Sequence, residues 1–191
     1  MAAACLRLPP EVNMNYDPCT GHWFALQIRP GREQVSAAAL RYKGYQEFLP
    51  LETPRSTRRR KVNPAPLFPG YLFCRAGDGV FGPLVTTPGV IRIVGFGNRP
   101  EPIPNQEIES IRRISESGLA GAPHPYLEVG KRVRITEGPL AGTEGILLSH
   151  GRNAQLVVSV TLLRRSVTVS VDEAWVSPDE NRNVQLRAMA S

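Results

Sequence analysis

The sequence predicts an α+β protein in two parts: an antiparallel sheet flanked by helices, followed by a small β-barrel. Three observations carry this. Between His22 and Ile114, aromatic and aliphatic runs of strand length alternate with stretches of helical period. A small, polar stretch broken by Gly and Pro, "SESGLAGAPHP" (115–125), then interrupts the pattern. Beyond it come five short β-branched runs divided by turn residues, as in a small antiparallel barrel.

Taken in order, residues 1–20 are polar, contain Pro and show no period, which predicts a disordered extension. "HWFALQIRP" is a strand that Pro30-Gly31 ends. In "GREQVSAAALRYKG", Val35, Ala38, Ala39 and Tyr42 recur at i, i+3, i+4 and i+7. That predicts a helix with those residues as its apolar face and Gly44 as its stop. "YQEFLP" and "GYLFCR" are the second and third strands, "GVFGPLV" holds a helical turn, and "GVIRIVGF" is the fourth strand. "NQEIESIRRIS" is a second helix, with Ile108, Ile111 and Ile114 on one side and Asn105 as its cap. The barrel strands are "KRVRIT", "TEGILLS", "AQLVVSVTLL", "RSVTVSV" and "AWVSP". The expected division is an extension (1–20), a first domain (21–114), a flexible linker (115–125), a second domain (126–178) and a tail (179–191).

Composition narrows the function. With 41% hydrophobic residues over 191 positions, the chain can build a packed core in one or two domains. It holds no apolar run of membrane-spanning length and no long apolar leader segment, so neither a span nor a secretory signal is predicted. Cys5, Cys19 and Cys74 are odd in number and widely spaced, which suits neither a disulfide framework nor a metal site. A reducing cytoplasm is the simplest location. His22, His124 and His150 are scattered, and "VGFGNRP" lacks the third glycine and the helix of a dinucleotide loop. No catalytic set, metal or cofactor is predicted, and the chain is not read as an enzyme.

The net charge of +6 is unevenly spread. Residues 21–114 hold fourteen Lys/Arg against seven Asp/Glu, and residues 126–178 hold six against five. Within the first block, "ETPRSTRRRKV" (52–62) carries five basic residues and one acid among Pro, Ser and Thr, a loop or open hairpin. Arg55, Arg58, Arg59, Arg60 and Lys61 are suited to phosphates, which they would contact without reading sequence. A plain solvated surface accounts for the same run.

The stretch "PLFPGYLFCR" (66–75) adds a second question. Strand alternation puts Tyr71 and Phe73 on one face and Leu72 and Cys74 on the other. Either Tyr71 and Phe73 form the core and a helix covers the second face, or the aromatic face is surplus to one core and meets a partner.

At this point the sequence resembles a known family. "HWFALQIRPGRE" before a helix, then "LFPGYLF", then "TTPGVIRIVGFGNRPEPIPNQEI", is similar to the N-terminal (NGN) domain of the NusG family of bacterial transcription elongation and antitermination factors. "VGKRVRITEGPLAGTEGIL" resembles the KOW motif that opens that family's C-terminal barrel. The resemblance runs from about Trp23 to Ser177, and "VVSVTLLRRSVTVSVDEAWVSP" is closer to the specialised RfaH and UpxY kind. It implies an NGN-type sheet plus a KOW barrel. It also implies that Phe68, Tyr71 and Phe73, with Ile108, receive the clamp helices of RNA polymerase. The basic loop would then lie near upstream or non-template DNA. Only Thr86 and Thr87 offer polar groups in the segment where RfaH-like factors read bases.

The turn holding Leu163, Arg164 and Arg165 matches the family's docking point for a ribosomal small-subunit protein or a termination factor. The general factor has a glycine where Arg164 stands. KOW barrels also occur in ribosomal proteins, so an RNA-binding, ribosome-associated protein is the alternative. In RfaH the second domain can instead fold as a helical hairpin over the polymerase site. Eight β-branched residues from Val157 to Val171 predict a barrel here, and hence an open polymerase site.

Overall fold

The structure, a computed structural model, describes residues 21–52, 64–77, 81–97, 99–125, 131–149 and 154–178. The predicted N-terminal extension (1–20) and tail (179–191) lie outside the described residues.

Strand β1 (His22–Ile28) is the spine of the first half. It pairs antiparallel with β3 (Tyr71–Ala76) on one side and β4 (Val90–Ile93) on the other, and β2 (Glu47–Phe48) completes the order β2-β3-β1-β4. The register sets Ala25 opposite Phe73 and Leu26 opposite Leu72, so alternate residues of both strands share a face. Phe24, Leu26, Ile28, Leu72 and Cys74 pack under helix α1 (Glu33–Tyr42) and the short α2 (Gly82–Val85). Trp23, Ala25 and Phe73 turn to the other face, where helix α3 (Asn105–Glu116) lies with Ile108, Ile111 and Ile114 buried.

The segment expected as one fourth strand divides. After β4, β5 (Gly95–Phe96) leaves the sheet and pairs with β6 (Arg99–Pro100) in a separate hairpin.

The second half is a six-stranded antiparallel sheet: β7 (Gly121–Pro125), β8 (Lys131–Ile135), β9 (Glu144–Ser149), β10 (Ala154–Val160), β11 (Arg165–Val171) and β12 (Val176–Pro178). Their order is β12-β8-β9-β10-β11-β7. Leu156, Val158 and Val160 of β10 and Val167, Val169 and Val171 of β11 all enter one apolar cluster. Their branched side chains fit the pleat, as expected of strands rather than helices. The architecture is α+β with antiparallel sheets, as predicted.

Three local expectations are corrected. Helix α1 turns Glu33, Ser36, Ala37 and Leu40 inward, while Val35, Ala38 and Tyr42 are exposed. The small Ala37 and Ser36 let the helix approach the sheet, and the two inward polar groups are paired. Glu33 accepts from the Gly70 N–H at 3.1 Å, and Ser36 Oγ donates to the Pro88 carbonyl at 2.8 Å. Helix α3 begins with Asn105 already inside it, Pro104 stands at the cap, and no side chain caps the end. The expected linker 115–125 is structured at both ends. It starts in the last turn of α3, and its "GAPHP" runs antiparallel to β11 from Val169↔Gly121 to Arg165↔Pro125. Two prolines are tolerated because this strand is an edge.

Candidate protein-binding face

The site is built on the face of the first sheet opposite α1. Phe68 and Phe73 meet edge to face with centroids 5.6 Å apart, and Phe48 stacks on Phe73 at 6.1 Å. Phe68 and Tyr71 are the first and last residues of one tight turn, closed by a Tyr71 N–H to Phe68 C=O hydrogen bond of 3.0 Å. Pro69 and Gly70 occupy its centre, and Gly70 has φ +81°, as the third position of a type II turn requires. The "FPGY" signal in the sequence is therefore what aims both rings. Ile108 reaches the same cluster from α3. The four residues expected to act together are thus brought together, with Tyr71 half-buried and the other three buried.

Two cations line the face. The Arg112 guanidinium lies 5.6 Å from the Trp23 ring and 5.3 Å from Phe48, and Arg112 also pairs with Glu109 one turn back at 3.0 Å. Arg165, from the second half, lies 5.5 Å over Tyr71. Such contacts orient a guanidinium over a ring face while leaving its edge free to meet an anion.

The expectation of an open face is corrected. One hydrophobic cluster runs from Trp23, Phe68 and Phe73 through α3 into Val158, Leu163 and Val167 of the second sheet. Phe73 and Ile108 are 0% exposed. The second sheet lies along α3. At one end the β10–β11 turn (161–164) meets Glu107: its Oε2 accepts from the Thr161 N–H at 3.1 Å, and its Oε1 from the Thr161 hydroxyl at 2.8 Å. At the other end the Arg113 guanidinium lies against Gly142, 3.1 Å from where a Cβ would stand. Between them, a Cβ on Gly121 would come within 3.1 Å of the Ile114 side chain and 3.4 Å of Leu67, so the two halves meet closely here. Burial pushes the Glu107 carboxyl up from its usual range, against the two Thr161 hydrogen bonds, which pull it down.

The β10–β11 turn is itself a predicted site. Leu163 is buried in the shared cluster, and Arg165 is committed to Tyr71. Arg164 has φ +49°, the one non-glycine residue at positive φ among the described residues. A backbone that favours glycine there is consistent with the glycine implied by the resemblance.

Arg55, Arg58, Arg59, Arg60 and Lys61 lie outside the described residues. Their stem is described: Leu51 bridges Pro66, the Glu52 N–H donates to the Ala65 carbonyl at 2.8 Å, and the Leu67 N–H donates to the Pro50 carbonyl at 2.9 Å. This stem leads directly into Leu67 and Phe68 of the apolar cluster. Among the described residues no cluster of His, Cys, Asp or Glu is suited to a metal, and no helix is long and apolar enough to cross a membrane.

Sequence reasoning missed Trp23, Phe48, Arg112, Glu107 and Thr161. The aromatics read as ordinary strand residues. Arg112 and Glu107 carry a signal only in their helical spacing to Ile108 and Ile111, which puts them on the margin of the buried stripe.

Comparison with known proteins follows the same outline. Residues 21–112 match the family described as Transcription termination factor nusG. A curated relative, the transcription termination/antitermination protein NusG of Thermus thermophilus, is 30% identical over 118 residues. That match covers 52% of this chain and 63% of the relative, so the chain spans under two thirds of the relative's length. A solved structure concerning domain interaction in Thermotoga maritima NusG is similar in fold, with a TM-score of 0.50 at 21% identity. That similarity covers 86% of this chain and 100% of the other.

Proposed function

We propose that this chain is a transcription termination/antitermination factor of the NusG kind that binds RNA polymerase through its first half, where residues 21–112 match that family. The observation that carries the reading is the aromatic face of Phe68, Tyr71 and Phe73 with Ile108. It is separate from the core under α1, so the first sheet has two apolar faces and needs only one of them for its own helices α1 and α2. A polymerase helix pair would insert where the second sheet now lies, with Arg112 and Arg165 at its margin. Binding therefore requires the second sheet to move aside. The Arg55–Lys61 segment would contact DNA upstream of the polymerase or its non-template strand, because its stem borders the face. The second sheet, read as the KOW domain, would use Leu163, Arg164 and Arg165 for a ribosomal or termination partner once released.

The test is a transcription assay with the cognate polymerase, scoring pausing and terminator readthrough, beside affinity purification of the full chain. Polymerase recovered with the chain, and a change in readthrough, support the proposal. Ribosomes recovered without polymerase, and an unchanged transcript pattern, overturn it in favour of the ribosome-associated reading.

A further inference from the structure

We infer that Glu33 is a positioning residue for the partner-facing aromatics: its buried carboxylate, on the far side of the sheet, holds the turn that carries Phe68 and Tyr71. The inference rests on the reading of that face as the polymerase site.

The turn Phe68–Tyr71 has one internal hydrogen bond, from Tyr71 N–H to Phe68 C=O. In a type II turn the central amide N–H has no partner within the turn, and a buried one needs a partner from elsewhere. Here it is the Gly70 N–H, and Glu33 Oε1 accepts it at 3.1 Å. The Gly70 carbonyl is held in turn by the Ile28 N–H at 2.8 Å, at the end of β1. Both polar groups of Gly70 are therefore tied, one to α1 and one to the sheet. Since Gly70 is at φ +81°, the central peptide of the turn can rotate when a tie is lost. Loss of a tie also frees the turn from α1 or β1, and Phe68 and Tyr71 are the two ends of that turn.

Glu33 is 8% exposed, a low figure for an acid on the first turn of a helix with the chain's surface nearby. A favourable interaction with the helix N-terminus needs no burial. Burial is instead accounted for by its acceptor role. Its action on the aromatic face runs through Gly70.

The experiment compares Glu33→Ala with Glu33→Gln in the full chain. Gln keeps a carbonyl oxygen of similar reach and removes the charge. Amide hydrogen exchange at Gly70 should speed at least tenfold in Glu33→Ala and stay within threefold of the parent in Glu33→Gln. The Tyr71 ring contacts to Arg165 should weaken in the first and persist in the second. Polymerase affinity is measured in a Glu107→Ala background, where the face is less covered. It should fall at least fivefold with Glu33→Ala and less than twofold with Glu33→Gln. Unchanged Gly70 exchange in Glu33→Ala overturns the inference, and so does a Glu33→Gln variant as defective as Glu33→Ala. Failure of the polymerase reading shows separately, as a Tyr71→Ala variant that binds polymerase like the parent; the Gly70 and Tyr71 readouts do not involve polymerase.

Discussion

Removing the Glu107 carboxylate should open the molecule. Glu107 joins the halves through two hydrogen bonds to Thr161, at 3.1 and 2.8 Å. A hydrogen bond to a charged group contributes about 1.5–3 kcal/mol when well buried. Thr161 is exposed and Glu107 half-buried, so water replaces part of what is lost, and about 1 kcal/mol per bond is the better figure. Glu107→Ala should then weaken docking of the second sheet by about 1–2 kcal/mol, roughly five- to thirtyfold in the docked-to-open ratio. Thr161→Val removes the hydroxyl bond alone and should give roughly fivefold. Single-molecule energy transfer between dyes on the two halves reads the ratio directly.

The raised pKa of Glu107 adds a sign. Glu107 has its raised pKa in the docked form, and with an ordinary value once opened to water it would bind its proton more tightly when docked. Protonation thus favours docking below the usual glutamate value, and this contribution is lost as pH rises through the raised value. Glu107→Gln, neutral at every pH, keeps one of the two acceptor oxygens, so it should open less than Glu107→Ala and flatten the pH dependence. Unchanged docking in both Glu107→Ala and Thr161→Val would refute the latch. Glu107→Gln opening as far as Glu107→Ala would refute the account of its charge.

Three further outcomes are expected. Tyr71→Ala should keep the fold and lower polymerase affinity by about 2 kcal/mol, read by pull-down beside a melting curve, whereas Phe73→Ala should cost about 3–5 kcal/mol of stability, because Phe73 is fully buried between Phe48 and Phe68. Replacing Arg58, Arg59, Arg60 and Lys61 with Gln should flatten the salt dependence of DNA contact by up to about 0.9 per lost phosphate contact; crosslinking to DNA at the parent level would show a merely solvated loop. Cys74 should resist alkylation at pH 8 in the folded chain, since burial, with the Glu47 carboxylate adding to it, pushes its thiol up to about 12, and mass mapping that finds it modified before unfolding contradicts this.

Much of the fold was legible because it rests on period. Tyr71/Phe73 and Leu72/Cys74 do part onto opposite faces, into two separate clusters. Ile108, Ile111 and Ile114 do form the buried side of α3. Helix α1 was misread where period and polarity conflict. Its apolar residues Val35, Ala38 and Tyr42 lie outward, and Glu33 and Ser36 lie inward because each finds a partner distant in sequence, Gly70 and Pro88. Hydropathy prices a buried carboxylate as unpaired, so a paired one is invisible to it. The linker was misread for a related reason: "GAPHP" has the composition of a loop, and only an available strand edge on β11 makes it a strand.

The docking of the two halves was illegible for a different reason. The β-branched run from Val157 to Val171 does argue against a helical second half, and β10 and β11 bear that out. An open face does not follow from it, because a sheet can cover α3 as well as a helical hairpin can. What decides coverage is a few contacts at the margins, Glu107 with Thr161, Arg165 with Tyr71 and Arg113 against Gly142, and these have no period to detect. Their placement has a consequence under the proposed function. The turn that holds Leu163, Arg164 and Arg165 is engaged by the same docking that buries Phe68 and Phe73. A partner of either surface binds only the open form, so each lowers the docking free energy felt by the other. With a docked-to-open ratio of about thirty, both apparent affinities are reduced roughly thirtyfold, and occupancy of one surface restores the other by nearly the same factor. Thr161→Val and Glu107→Ala should therefore shrink that coupling in step with the docking ratio, and coupling that persists undiminished in Glu107→Ala would have to run through some route other than this interface.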